Sequence, residues 1–219
     1  MPAEGALRDR LGAGDALIET LRYEPSAGLV RLERHLTRIA ASARAFAIPF
    51  DRKRAEAVLA AAAQGKQPLR VRLTLAVDSD IAASATHFAA LSPDVRWRLT
   101  VASTRLDSSD PLLRHKTSRR SAYEQARAEF PPAEADEVLL LNERGEVCEG
   151  IITNVFVDSG SGTLLTPAVA CGLLPGILRG ELIDKGRAVE ERLTVADLRT
   201  ARAIFVGNSL RGLIRCDMT

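Results

Sequence analysis

Residues 138–157 read VLLLNERGEVCEGIITNVFV. Val138–Leu141 is an apolar run of strand length, Asn142-Glu143-Arg144-Gly145 has hairpin-turn composition, and Ile151–Val157 is a second strand rich in β-branched residues. Strands joined by so short a turn run antiparallel, because parallel neighbours need a crossover of a dozen residues or more. The pattern continues towards the C-terminus. Ser159–Gly162 is a turn, Leu173-Leu174-Pro175-Gly176 leads into a helix ending near Gly186, and a short capped helix follows Thr194. Ala203–Val206 is a strand that ends in Gly207-Asn208-Ser209.

Reading towards the N-terminus, Thr117–Phe130 has a helical pattern that stops before Pro131-Pro132. Leu106–Pro111 is polar and loop-like, Arg96–Ser103 is a strand, and Ser92-Pro93-Asp94 is the best boundary between domains. Before it, Leu69–Val77 alternates as a half-buried strand, and a second strand is expected over Thr86–Leu91. Leu32, Leu36, Ile39, Ala43 and Phe46 recur at helical spacing over Leu32–Ala47, with Arg31, Arg34, His35 and Arg38 off the stripe. Asp51 caps a second helix through Gln64. Strands and helices mix without a regular βαβ alternation, so the fold class is α+β, with a small domain at 1–91 and a larger one at 92–219.

The 219 residues include 46% apolar ones, ample for a core in each domain. A formal charge of +2 sets up no field for nucleic acid or an anionic membrane. Arg119-Arg120 and Arg52-Lys53-Arg54 are the only hints of a nucleic-acid binder, and low aromatic content argues against one. Cys148, Cys171 and Cys216 are odd in number and lack metal-ligand spacing, so reduced thiols in a cytoplasmic protein are expected. Met1–Asp15 lacks a signal-peptide core, and Val58–Ala63 is too short to cross a bilayer. There is no GxGxxG and no P-loop lysine.

Periodicity alone stops at a soluble α+β protein. Four segments in order carry more: Glu33–Arg38 (ERHLTR), His115–Arg120 (HKTSRR), Cys148–Phe156 (CEGIITNVF) and Leu174–Arg179 (LPGILR). With Gly207-Asn208-Ser209 they resemble the class IV, fold-type IV pyridoxal-phosphate aminotransferases, and most of all the 4-amino-4-deoxychorismate lyases, over nearly the whole chain. The resemblance implies a two-domain fold with the active site between domains, a homodimer, and pyridoxal 5′-phosphate as cofactor. It also implies a small-molecule amino substrate.

That cofactor needs a primary amine that condenses with its aldehyde and later moves a proton, which arginine cannot do. The chain has four lysines: Lys53 and Lys185 in charged helical stretches, Lys66 after a helix stop, and Lys116 between a loop and a helix start. On residue type alone a surface cation is the commoner outcome, and the resemblance makes Lys116 the amine. By the same resemblance Glu149 partners the ring nitrogen, where a carboxylate keeps the nitrogen protonated, and Asn154 completes the Glu-x-x-x-x-Asn spacing. Arg38 and the amides of Ile177 and Leu178 take the phosphate, as a forked cation and a helix N-terminus are suited to do. Asn208 and Ser209 add donors to it. Each has a plain alternative: a hairpin-edge glutamate, a solvated arginine stripe with Arg31 and Arg34, a helix start with Pro in the first turn, and a strand-end turn.

Two activities share the scaffold: transamination of branched-chain or D-amino acids, and cleavage of aminodeoxychorismate to 4-aminobenzoate and pyruvate. The segment Asp15–Thr20 resembles the lyase group's, whose threonine at the place of Thr20 faces the reacting centre. The branched-chain enzymes carry a tyrosine five residues after the lysine; here that place is Ser121, with Tyr123 two residues later. Arg72, Arg105 and Arg211 are candidates for a dicarboxylate substrate. A third possibility is a non-catalytic homologue, a cofactor-binding or partner-binding protein that keeps the fold. Family members begin with an extra strand hairpin, whereas this chain reaches Gly12-Ala13-Gly14-Asp15 almost at once, so its N-terminal sheet is expected to be short of an edge strand.

Overall fold

The computed structural model describes residues 7–219; the start of Met1–Asp15, and of the expected 1–91 domain, lies outside the described residues. Two compact units divide the chain. Residues 7–90 and 115–119 form the first, and 91–114 with 120–219 the second. Lys116, expected in the C-terminal domain, therefore belongs to the first unit, and the reason is backbone pairing.

The first unit holds β1 (Ala16–Glu24), β2 (Gly28–Leu29), α1 (Leu32–Ala45), α2 (Arg52–Ala62), β3 (Leu69–Ala76) and β4 (Ile81–His87), with the sheet ordered β2-β1-β3-β4. Leu17 and Leu21 of β1 lie opposite Leu75 and Val71 of β3, and all four are buried with Leu36 and Ile39 of α1 and Leu59 of α2. Asp51 caps α2 by accepting from the Arg54 N–H. β4 starts at Ile81 rather than near Thr86, because the chain reverses at Asp78–Asp80, where Ser79 takes φ 75°. Its small, exposed residues show no alternation that would reveal a strand.

β2 pairs only with Tyr23 and Glu24, so the first half of β1 keeps an edge. The segment 116–118 takes it. Leu17 bridges Thr117 antiparallel, Ile18 N–H donates to the Lys116 carbonyl at 2.8 Å, and Ser118 N–H to the Ala16 carbonyl at 2.9 Å. This is why the expected helix over Thr117–Phe130 shrinks to α3 (Ser121–Ala128). Among the described residues no strand precedes β1.

The second unit carries α3 and one mixed eight-stranded sheet. Its strands are β5 (Arg96–Leu106), β6 (Glu137–Asn142), β7 (Val147–Gly150), β8 (Asn154–Asp158), β9 (Leu164–Pro167), β10 (Ala188–Glu191), β11 (Ala203–Asn208) and β12 (Gly212–Met218). The order is β10-β9-β8-β11-β12-β5-β6-β7. Leu139 and Leu141 of β6 face a core with Leu99, Val155, Val157, Val206 and Ile214, while Val138 and Leu140 pack beside Ala126 of α3. With both faces covered, β6 reads as a continuous apolar run. α4 (Ile177–Asp184) packs Leu178 and Leu182 on Phe156, and α5 (Val195–Thr200) starts with a capping box between Thr194 and Asp197.

The strand expected over Ile151–Val157 is broken, because residues 151–153 form a turn between β7 and β8. Buried Glu137 holds that turn: it accepts the N–H groups of Ile151 at 3.0 Å and Ile152 at 3.3 Å, and the Thr153 hydroxyl at 2.7 Å. Burial pushes the Glu137 carboxyl up, against the hydrogen bonds that favour its charge. β12 also went unread in the sequence, although Ile214, Cys216 and Met218 alternate with Arg215 and Asp217.

Candidate active site

Two groups of functional side chains stand out, one in each unit. In the first unit, pairing of Leu17 with Thr117 puts Lys116 opposite Ile18. Strand alternation then aims its side chain to the face of Ile18 and Thr20. Register carries that face across the sheet, because Thr20 lies opposite Arg72 and Arg72 opposite Ser84. Lys116, Thr20 and Arg72 are all half-buried. His115 points the other way, with Nδ1 3.0 Å from Ser42 Oγ and its ring edge-on to Phe46 at 4.9 Å.

The helix-covered face holds a buried charge cluster. Arg38 grips the Glu19 carboxylate with Nε at 2.8 Å and Nη2 at 2.7 Å, and His35 Nδ1 lies 2.6 Å from the same group. Burial opposes the Glu19 charge, but the Arg38 guanidinium and the hydrogen bonds from His35 and Arg38 outweigh it and hold the carboxyl at about 2. Burial lowers His35 despite its bond to Glu19. The arrangement is a carboxylate neutralised by Arg38 with a neutral imidazole donating from Nδ1, a tautomer inferred from the partner. His35, read as part of a polar face, is buried because Glu19 is there to meet it. Arg38 is thus no solvated arginine: one edge of its fork, Nε and Nη2, is turned to Glu19.

In the second unit Glu149 is the penultimate residue of β7, 4% exposed. Tyr123 Oη donates to its Oε1 at 2.7 Å, the Leu174 N–H donates to the same oxygen at 3.1 Å, and Asn154 Nδ2 donates to Oε2 at 3.4 Å. Asn154 Nδ2 also reaches the Leu174 carbonyl at 2.9 Å. One amide therefore ties the carboxylate to the segment that enters α4. Gly176, the residue before α4, has no room for a side chain, since a Cβ there would overlap Asn154 Oδ1. No side chain caps α4, so the amides of Ile177 and Leu178 open its first turn. A Cβ on Gly207 would meet the Gly212 carbonyl oxygen at 2.8 Å and a Leu178 methyl at 3.0 Å. The end of β11, just before Asn208 and Ser209, therefore sits against the Leu178 side chain in the first turn of α4.

Asn208 itself is largely used by the turn. Its Oδ1 accepts from Leu210 N–H at 3.1 Å and Arg211 N–H at 2.9 Å, and its Nδ2 donates to the Ile152 carbonyl at 3.1 Å. Arg105 is exposed and turns Nη1 onto the carbonyls of Ala102, Ser103 and Thr104, at an irregularity of its own strand. Arg211 stacks over Trp97 at 5.9 Å. Of the three arginines considered for a dicarboxylate, Arg72 alone shares a face with Lys116. Glu19 and Glu137 were not singled out in the sequence, and Tyr123 was noted only for its spacing from Lys116. A strand glutamate between apolar residues, as in Leu17-Ile18-Glu19, was the one available signal.

Elsewhere, Arg52 pairs with Glu33 and Glu56, and Arg54 with Asp80. Cys148, Cys171 and Cys216 are buried free thiols. Among the described residues no helix is long and apolar enough to cross a membrane, and no cluster of three His, Cys, Asp or Glu could hold a metal ion.

A family model described as amino-transferase class IV matches residues 16–217. A Thermotoga maritima protein, provisionally named a branched-chain-amino-acid aminotransferase, is 30% identical over 211 residues, 91% of this chain and 75% of its own. A crystal structure from Mesorhizobium loti, of a chain provisionally named an amino-acid aminotransferase, superposes with a TM-score of 0.92 at 51% identity, covering 94% of this chain and all of that one. The 4-amino-4-deoxychorismate lyase of Pseudomonas aeruginosa gives a TM-score of 0.77 at 26% identity, over 94% of this chain and 83% of its own.

Proposed function

The chain belongs to the class IV aminotransferase family, and from that premise we propose that it is a pyridoxal 5′-phosphate enzyme of 4-amino-4-deoxychorismate lyase type. It would release 4-aminobenzoate and pyruvate. The donor set fits the cofactor. A half-buried primary amine at Lys116, a buried carboxylate at Glu149 and an uncapped helix start beside a crowded glycine are what an aldehyde, a ring nitrogen and a phosphate require. When bound, the cofactor supplies the electron sink that stabilises negative charge at the substrate carbon bearing nitrogen.

The chain's own residues do the rest. Lys116 Nζ would hold the cofactor until the substrate amine takes its place, and the freed Lys116 amine would then move the proton at that carbon. Glu149, oriented by Tyr123, Leu174 and Asn154, keeps positive charge on the ring nitrogen. The amides of Ile177 and Leu178, with Ser209 and Asn208, bind phosphate, and Arg38, oriented by Glu19, adds its charge. Thr20 faces the reacting centre. The observation that carries the lyase reading is the polar face shared by Lys116, Thr20 and Arg72. An arginine there suits a substrate with an additional carboxylate better than a branched apolar side chain.

The Thermotoga relative's name favours a second reading, transamination of branched-chain or D-amino acids. The deciding experiment offers aminodeoxychorismate beside a panel of amino acid and keto acid pairs, with Lys116→Ala as control. Formation of 4-aminobenzoate, lost in Lys116→Ala, is expected; keto acid turnover without it would establish the transaminase. A protein that stays colourless with added cofactor, lacking a band near roughly 410–430 nm, would be a non-catalytic homologue. We also propose a cytoplasmic homodimer, in keeping with three free thiols. A clean monomer in gel filtration at micromolar concentration would refute the dimer.

A further inference from the structure

We propose that Tyr123 is a positioning residue that keeps the shared proton on the cofactor's ring nitrogen by holding Glu149 as the anion, with Arg120 fixing Tyr123 in turn. The proposal rests on the reading of Glu149 as the ring nitrogen's partner. It begins from an offset in the sequence: the tyrosine expected five residues after Lys116 is absent, and Tyr123 stands two residues later, in the first turn of α3. That displacement gives its hydroxyl a different job, a 2.7 Å hydrogen bond to Glu149 Oε1.

Tyr123, the Leu174 N–H and Asn154 donate to this carboxylate. The Leu174 N–H is backbone and Asn154 is shared with the Leu174 carbonyl, so Tyr123 is the one side chain whose described polar contact is Glu149 alone. The ring is fixed from behind. The Arg120 guanidinium lies 4.6 Å above its centroid and donates to the Ile151 carbonyl, in the turn that follows Glu149. Cys148, the titratable neighbour on the same strand, is pushed up by burial and stays a neutral thiol, as does Cys171 beyond it. Burial and the Glu149 charge raise the Tyr123 phenol well above its ordinary value, so it remains a donor at any working pH.

A hydrogen bond to a carboxylate stabilises the ionised form and lowers its proton affinity. In a pair of carboxylate and ring nitrogen, that leaves the proton on nitrogen and the ring positive. Removing the phenol hydroxyl lets the proton move towards Glu149 and weakens the ring as an electron sink.

The test is Tyr123→Phe, which keeps the ring and its stacking with Arg120. In the full chain without cofactor, carboxyl NMR is expected to show the Glu149 pKa raised by about one unit. In the loaded protein, the nitrogen-15 shift of labelled pyridoxal phosphate is expected to move towards the neutral ring. Should Tyr123→Phe fail to fold, fluorotyrosine incorporated into a Tyr23→Phe chain places a stronger donor at position 123 alone, and the Glu149 pKa is expected to fall. A Glu149 pKa unmoved in either folded variant overturns the proposal. Failure of the cofactor reading is separate: borohydride would then leave no added mass on Lys116, while the pKa measurement without cofactor still decides the role of Tyr123.

Discussion

Replacing Glu19 with glutamine keeps the side chain's shape and removes its charge. In the folded chain this carboxylate is 1% exposed, so solvent does not screen its bonds to Arg38 at 2.7 and 2.8 Å and to His35 at 2.6 Å. Its pKa is about 2, against an ordinary 4.5. At about 1.4 kcal/mol per unit, that gap contributes about 3 kcal/mol at neutral pH. The figure agrees with the roughly 3–5 kcal/mol lost when one partner of a buried ion pair is removed. The folded pKa lies below the unfolded one, so the contribution is complete above pH 4.5 and is lost as pH falls towards 2. Equilibrium urea unfolding, followed by far-ultraviolet circular dichroism, measures it. Glu19→Gln is expected to lose about 3 kcal/mol at pH 7, with the difference shrinking to about half or less by pH 3. In an Arg38→Met background the same substitution is expected to cost much less, since the unpaired guanidinium is gone. A loss under about 1 kcal/mol at pH 7, the scale of an exposed pair, or a difference constant with pH, would refute the reasoning.

Four further outcomes are expected. Gly176→Ala drives a methyl into Asn154 and is expected to weaken pyridoxal phosphate binding about tenfold or more, about 1.4 kcal/mol, in an absorbance titration. Arg72→Ala is expected to raise KM for a carboxylate-rich substrate about tenfold with kcat nearly unchanged, the pattern of lost uniform binding; an unchanged KM would remove Arg72 from the substrate side. Arg105→Ala is expected to keep kcat/KM within about twofold of the parent, a difference under roughly 0.5 kcal/mol, because its guanidinium serves its own strand. Glu137→Ala strands the Ile152 N–H and the Thr153 hydroxyl, leaves the Ile151 N–H only its bond to the Val138 carbonyl, and is expected to cost about 2–4 kcal/mol in chemical denaturation, with Glu149 and Asn154 losing their fixed spacing.

Much of the fold could be read directly where one period dominates a segment. The stripe Leu36, Ile39, Ala43 and Phe46, the alternation Val71, Leu73 and Leu75, and the caps at Asp51 and Thr194 are local patterns, and each element formed within two residues of its expected ends. Reading failed where a distant partner decided. Nothing within His115–Arg119 distinguishes a helix start from an extended segment, because the edge it fills belongs to β1, about a hundred residues earlier. Residues 151–153 carry β-branched side chains, yet the Glu137 carboxylate takes their donors and makes a turn.

The candidate site divides in the same way. Residue type and motif order alone decided which groups are proposed to do the chemistry, since one lysine, one glutamate and one helix start resemble a known set. Only tertiary structure decided what surrounds them: that Thr20 and Arg72 share the Lys116 face, that Glu19 grips Arg38, that Tyr123 meets Glu149, and that Arg105 is occupied elsewhere. The physical reason is range. Hydrogen-bonding type and charge are properties of a residue and travel with the sequence, whereas pKa, orientation and burial belong to pairs brought together by folding, and no local period encodes those pairs.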